Sequence, residues 1–366
     1  MSSSLERIWY PPAGESRAQR WLCAPLSLLS AAYGAGAAVQ RWRYRTGRLP
    51  TVLTRKAPVV SVGNLTVGGS GKTPCVMALT ERLLARGIRV AVLSRGYGRE
   101  DREDRVLSGG ASDADWRQVG DEPLLIARRC PKAVVLVGRD RGRLALVAEE
   151  RYGAEVILLD DGMQHRRLER DLEVVVIDAR VGFGNGRLLP RGPLREPLSL
   201  LPSADLFWIR DGDDAATGMV EDPLAIGGVR LPTRPRVHVR DVVSGLRVGP
   251  HREAPSRLQG TRVWAFSGIA RPERFRRTLV EQGAEVVEHT AFPDHHPFRE
   301  AELETLRSRA AAAGVPLITT EKDAVRLPSG FGVWVLEMSL GFMAGEATLD
   351  AVLDRMLREA TEPGDL

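Results

Sequence analysis

At 366 residues, with 43% hydrophobic and 27% charged side chains, the chain can form two or three ordinary domains, and its composition excludes global disorder. Its 52 Lys and Arg against 47 Asp and Glu give a net charge of +5, which suits an anionic partner, phospholipid surface or nucleic acid, without choosing between them. Cys23, Cys75 and Cys130 are odd in number, far apart and lack metal-ligand spacing, which argues against a disulfide framework and for a reducing compartment.

Residues 21–39 carry no charge and are bracketed by Arg17 and Arg20 on one side and by Arg41, Arg43 and Arg45 on the other. As a helix this run spans about 28 Å, just short of a hydrocarbon core of about 30 Å. Much of it is Ala, Gly and Ser, while Leu22, Leu26, Leu29 and Tyr33 share one stripe. The pattern predicts a helix lying in a membrane interface, with Trp9, Tyr10, Trp21, Trp42 and Tyr44 at headgroup depth and the arginines on anionic lipid. A cleavable signal peptide is set aside because the unpaired cysteines belong in the cytosol. A buried core helix is the plain alternative.

The strongest motif is VVSVGNLTVGGSGKTP at 59–74. Val59, Val60 and Val62 read as a strand and Pro74 opens helical spacing, so the glycines between them form a phosphate loop. Gly68, Gly69, Ser70 and Gly71 would wrap backbone N–H groups around an anion at a helix N-terminus. Lys72 would reach the β- and γ-phosphates of ATP and the Thr73 hydroxyl would ligate Mg²⁺. Thr66 stands where the usual GxxxxGK[ST] pattern has its first Gly.

Strand and helix then alternate. A strand at 89–93 runs into SRGYGR, where Arg95 and Tyr97 sit at a strand's C-terminal end and are candidates for gripping substrate. Residues 101–118 read as charged turns. GDEP at 120–123 introduces a helix whose first turn carries Asp121; an acidic residue there often only complements the helix dipole, yet a kinase needs a carboxylate to orient or deprotonate its acceptor. After a strand at 133–137 and a helix through Tyr152, a strand at 154–159 ends in Asp160 and Asp161, the pattern a P-loop enzyme uses to hold Mg²⁺. A strand at 172–178 precedes a Gly-, Pro- and Arg-rich loop at 182–197. There Arg187, Arg191 and Arg195 are candidates for pairing with substrate phosphate.

Past a strand at 204–210 and a linker, 236–240 alternates like an exposed two-stranded ribbon. A second α/β unit follows: strands at 262–266, 284–288 and 316–320, helices at 271–282 and 298–313, and a closing amphipathic helix at 346–359. The boundaries predicted are 1–47 for the membrane-associated segment, 48–215 for a P-loop domain, 216–245 for linker and ribbon, and 246–366 for a smaller C-terminal α/β domain. Asp294, His295 and His296 cluster in one loop, and TTEKD at 319–323 ends a strand, with Lys322 expected to pair with Glu321 or Asp323.

Taken together, GNLTVGGSGKTP, LSRGYGR, GDEP, LLDDGMQHRRLERDLEVVVID and GNGRLLPRGPLREPLSLL, in this order, resemble the tetraacyldisaccharide 4'-kinase family of Gram-negative lipid A synthesis. Nearly the whole chain is covered, with Arg191 standing where many relatives are expected to carry Ala. The resemblance implies transfer of the ATP γ-phosphate to the 4'-hydroxyl of a tetraacyldisaccharide 1-phosphate at the cytoplasmic face of the inner membrane. It implies that His295 faces the phosphate loop across a cleft and acts with Asp121, which takes the proton. No nucleic acid and no obligate protein partner are expected. Two rival readings are a nucleotide-driven switch ATPase and a nucleic-acid kinase; the second lacks a basic run with interleaved aromatics outside the N-terminal segment.

Overall fold

The computed structural model describes residues 8–11, 23–110, 114–211 and 225–361. Expectations for Arg17, Arg20, Trp21, Leu22 and the linker at 212–224 lie outside the described residues.

Strands β1 (Val59–Gly63), β2 (Val90–Ser94), β5 (Val156–Asp160) and β6 (Leu172–Asp178) are buried at every position. Unbroken apolar runs of this kind suit parallel strands covered on both faces. With β4 (Val134–Val137) and β7 (Leu206–Arg210) they lie parallel in the order β7-β6-β1-β5-β2-β4, and β3 (Arg105–Leu107) adds an antiparallel edge. Side-chain alternation then sorts the core. Val60 and Val62 face helices α2 (Lys72–Ala85) and α4 (Asp121–Arg129), while Val59 faces α5 (Arg141–Tyr152). The one-turn helix α3 (Trp116–Val119) precedes α4. Residues 101–118, read as turns, thus contain both β3 and α3, elements too short for a periodic signal.

The second half does not form a separate sheet. Strand β10 (Arg236–Val248) pairs in parallel with β7 and antiparallel with β15 (Trp334–Ala344), and β15 continues into β14 (Leu317–Thr320), β12 (Arg262–Ser267) and β13 (Glu285–Ala291). A small hairpin of β8 (Ala225–Ile226) and β9 (Val229–Arg230) precedes β10, and β11 (His251–Glu253) folds back on it. Helices α6 (Pro272–Glu281), α7 (Glu300–Ala312) and the one-turn α8 (Glu321–Ala324) complete this half. The 236–240 stretch, expected as an exposed ribbon, buries Val237 and Val239 completely, and its partner strand comes from near the end of the chain.

That burial is supplied by the last helix, α9 (Glu346–Thr361). Its Leu349, Val352, Leu353 and Met356 follow helical spacing and enter the same core as Leu79 and Leu83 of α2. Arg82 ion-pairs with Glu346 and Asp350, and Arg86 with Asp350 and Asp354. A boundary at 246 assigns this helix to the second half; its packing ties it to the first.

Helix α1 (Ala24–Arg45) lies on the surface with Ser30 as its one buried residue, which excludes a core helix. Ser30 Oγ donates to the Leu188 carbonyl at 2.7 Å, Tyr33 Oη to the Arg195 carbonyl at 3.0 Å, and Arg41 to Glu196 at 2.7 Å. The other side leaves Leu28, Leu29, Val39 and Trp42 exposed. Among the described residues no helix is long and apolar enough to cross a membrane.

Leu353→Ala is expected to lower the unfolding free energy by about 2–5 kcal/mol, the usual result of emptying a filled core site. Asp354→Ala, at the half-exposed rim of the same helix, should cost less than about 1 kcal/mol. Denaturant titration compares them, and equal losses would mean that ion pairs rather than packing hold α9.

Candidate active site

The phosphate loop leaves β1 at Asn64 and enters α2 at Lys72. Gly68 and Gly71 have φ of 103° and 90°, conformations that side chains resist, which is why glycine stands at both. Asn64 Nδ2 donates to Thr66 Oγ1 at 3.2 Å. A neighbouring strip braces the loop: Val67 N donates to the Pro193 carbonyl at 2.8 Å and Arg195 N to the Leu65 carbonyl at 2.7 Å. Lys72 Nζ donates to Asn64 Oδ1 at 3.1 Å and lies 3.5 Å from Asp161 Oδ1. Ser70 is buried, and its Oγ has no hydrogen-bond partner among the described residues.

The two aspartates at the end of β5 differ sharply. Asp161, in the left-handed region at φ 52°, receives both Arg195 Nη atoms at 3.0 and 2.9 Å. Burial pushes its carboxyl up, but the Lys72 charge and the Arg195 hydrogen bonds and charge outweigh that and hold it at about 2. Asp160 is buried without such pairing, and burial, reinforced by the charges of Glu122 and Asp161, raises its carboxyl well above the usual range. Arg141, buried and lowered to about 10 chiefly by burial, donates to the carbonyls of both.

Asp121 opens α4 and is 3% exposed. Its Oδ2 lies 2.7 Å from His295 Nδ1, and its Oδ1 accepts the Glu122 N–H at 2.9 Å. Burial alone would raise the Asp121 carboxyl; the His295 hydrogen bond and the charges of Lys322, His295 and Arg326 reverse that and leave it below its ordinary value. Among the described residues His295, at φ 59°, is the other non-glycine residue with positive φ, so both residues of that kind fall at this site. The imidazole that donates from Nδ1 keeps an Nε2 lone pair, and Lys322 Nζ lies 3.1 Å from it. Tyr97 is exposed beside this pair, with its ring 6.2 Å from the imidazole.

Of the three loop arginines, only Arg195 reaches the phosphate-loop carboxylates. Arg187 is exposed on the rim of a separate cavity of about 450 Å³ lined also by Tyr10 and Arg180. Arg191, expected to meet substrate, is 3% exposed, with its backbone N–H donating to Ser30 Oγ of α1 at 3.0 Å. Arg95 is exposed near Arg141. Lys322, expected to pair with its chain neighbours, instead reaches His295, Asp294 at 3.4 Å and Glu122 at 3.9 Å, because the one-turn helix α8 turns it away from them. His296 is structural, 2.8 Å from Glu302. Sequence reading also missed Asn64 and the buried Arg326, 3.8 Å from Asp121. Asn64 follows the strand directly, which is the one available signal; Arg326 has none.

The residues present fit a nucleotide and a magnesium ion. Ser70 Oγ is a buried polar atom without a partner among the described residues, and Asp160 is a buried carboxyl in the field of Lys72 whose ionised form a divalent cation would restore. Among the described residues no group of three or more His, Cys, Asp or Glu is placed to hold a metal. Magnesium needs few protein ligands because it keeps waters and takes phosphate oxygens.

A switch ATPase needs only water at the terminal phosphate. Here the second half of the chain carries an imidazole to the acidic side of the phosphate loop, and the class of protein so defined is a P-loop kinase. Residues 20–358 match the family model for tetraacyldisaccharide-1-P 4'-kinase. A tetraacyldisaccharide 4'-kinase of Anaeromyxobacter sp. (strain Fw109-5) is 48% identical over 89% of this chain and 88% of its own. One from Dinoroseobacter shibae is 39% identical over 97% and 98%. The crystal structure of "apo" form LpxK from Aquifex aeolicus in complex with ATP superposes with a TM-score of 0.74 at 30% identity, covering 92% of this chain and 99% of that one. The chain belongs to the tetraacyldisaccharide-1-P 4'-kinase family and is a kinase of lipid A biosynthesis.

Because the folded Asp121 pKa lies below its unfolded value of 3.8, its ionised form stabilises the fold above that value, and this is lost as pH falls through the folded pKa. Carboxyl-carbon NMR should place its midpoint below 3.8, and His295→Ala should move the midpoint up. A midpoint unmoved by His295→Ala would show that the hydrogen bond does not hold the carboxylate ionised.

Proposed function

We propose that this chain carries out the family reaction by in-line transfer of the ATP γ-phosphate to the 4'-hydroxyl of tetraacyldisaccharide 1-phosphate, with His295 as proton acceptor. The observation that carries it is the 2.7 Å contact between His295 Nδ1 and buried Asp121, made across the two halves of the chain. In this reading the pair divides the work by geometry: buried Asp121, in contact with Nδ1, fixes the tautomer and offsets the imidazolium charge, and Nε2 takes the proton, where the resemblance implied Asp121 as the acceptor. The sugar O–H bond breaks as the new P–O bond forms, and ADP leaves with the old bridging oxygen. Gly68, Gly69, Ser70, Gly71 and Lys72 hold the phosphates. Thr73 and Asp160 would hold magnesium, which would neutralise phosphate charge; Asp161 restrains Lys72 and Arg195 beside it. Arg95 and Tyr97 flank the acceptor's approach.

The exposed Leu28, Leu29 and Trp42 of α1, followed by Arg43, Arg45 and Arg48, support a helix lying on an anionic bilayer at the cytoplasmic face of the inner membrane. Acyl chains would then stay in lipid while the sugar enters between the halves flanking 216–245.

The test is transfer of labelled γ-phosphate to tetraacyldisaccharide 1-phosphate in detergent. Lys72→Ala, Asp121→Ala and His295→Ala should each lose at least about 100-fold in kcat/KM. ATP turnover without labelled lipid would restore the switch ATPase. Separately, Leu28→Glu with Leu29→Glu should weaken co-sedimentation with anionic phospholipid vesicles at least about tenfold. Unchanged sedimentation would remove α1 as the lipid contact.

A further inference from the structure

The carboxylates and the imidazole all lie on the β5 and β2 side of the phosphate loop. On its other side the C-terminal ends of β6 and β7 form a second charged cluster that the reaction described above does not use. Asp178 and Arg210 are register partners there, closing β6 and β7. Asp178 is held by Arg180 at 2.7 Å and by Arg271 of the second half at 3.4 Å. Arg210 grips Asp241 of β10, with Nε at 3.0 Å from Oδ1 and Nη2 on Oδ2, and Arg274 of α6 holds the same Oδ2 at 2.5 Å. The remaining nitrogen of Arg210, Nη1, makes no hydrogen bond among the described residues. It lies against the glycine that opens α2: a Cβ built on Gly71 would stand 3.2 Å from Nη1 and 3.1 Å from Arg210 Cδ.

An arginine clamped on two of its nitrogens, with the third lying beside the glycine at the mouth of a phosphate loop, is preorganised to donate to an anion there. The unpartnered, buried Ser70 Oγ in the adjacent residue independently points to a ligand at this spot. Since the γ-phosphate must face Lys72 and the imidazole on the β5 side, the phosphates nearer the nucleoside run toward β6 and β7. We propose that Arg210 binds the non-transferred phosphates of the nucleotide, and that Asp241 and Arg274 are positioning residues through which the second half of the chain sets that contact. This rests on the kinase reading of the loop and adds a residue to it. Arg274 comes from the half that also supplies His295, so nucleotide grip and acceptor chemistry are set by the same body.

Isothermal titration of the full-length protein with ADP and with a non-hydrolysable ATP analogue tests it. Arg210→Gln should raise Kd about tenfold or more for both ligands, because one charge-assisted hydrogen bond is lost and ADP retains the phosphates concerned. Arg210→Lys, which keeps a cation but cannot hold Asp241 bidentately, should fall between, and guards against a variant that fails to fold. Arg274→Gln, with the Arg210–Asp241 pair intact, should weaken ADP about threefold and raise KM for ATP while leaving KM for the lipid acceptor unchanged. Circular dichroism and Tm establish folding. Folded Arg210 variants with wild-type ADP affinity would overturn the proposal, as would a loss confined to the ATP analogue, which would move the contact to the γ-phosphate. Arg274→Gln with wild-type ADP affinity would overturn the positioning role. A wild-type protein that binds neither ligand would sink the kinase reading itself.

Discussion

Because β10 pairs with β7 on one edge and with β15 on the other, two helix-covered α/β halves share one continuous sheet, and their relative position is fixed by backbone hydrogen bonds. Register shifts beside Val239 and between Val243 and Gly245 interrupt this pairing, a feature that bends and twists a strand where it occurs. The site depends on that junction. Asp121 starts a helix in one half and His295 sits in a loop after β13 in the other, so a contact of 2.7 Å between them requires the junction to hold its geometry. Helix α9 reinforces it by crossing back from the end of β15 to pack on α2, so that the phosphate-loop helix and the last strand share one core.

Electrostatics divides labour among chemically identical groups. Asp160 and Asp161 are adjacent, yet one is surrounded by cations and the other by burial and like charge, and their proton affinities move in opposite directions. The cation-paired member ties Lys72 and Arg195 together beside the phosphate loop, while the carboxyl of the other makes no ion pair among the described residues. The same kind of balance acts on Asp121, where an imidazole, a backbone N–H and the field of Lys322 and Arg326 outweigh burial and hold the carboxyl below its ordinary value.

What could be read in the chain beforehand was local. The phosphate loop, the acidic end of β5 and the alternation of strand and helix are each carried within a dozen or so residues, and propensity and spacing suffice for them. Asp121 and His295 are 174 residues apart, so no spacing argument joins them; only the order of several motifs did. Strand β15 escaped notice because Gly341 and the register shifts blur its alternation, although it is the strand that unites the sheet. Among Arg187, Arg191 and Arg195, equal spacing in one loop conceals three environments: a cavity rim, a buried seat under α1, and the carboxylates of the site. Tertiary packing alone distinguishes them.

The strip at 193–196 joins helix α1 to the phosphate loop. Its backbone braces the phosphate loop through Leu65 and Val67, and the Arg195 side chain spans Asp161 and Asn64, which itself accepts from Lys72. From the outer side, Tyr33 of α1 donates to the Arg195 carbonyl, and Arg41 of α1 shares Glu196 with Arg166. Glu196 is almost wholly buried, so losing Arg41 would leave a carboxylate inside the protein with one partner fewer. The helix that carries the exposed leucines is therefore bonded to the segment that positions Arg195. Any tilt of α1 is passed within two hydrogen bonds, Tyr33 Oη to the Arg195 carbonyl and Arg195 N to the Leu65 carbonyl, to the residues that brace the phosphate loop, so the helix and the loop behave as one mechanical unit.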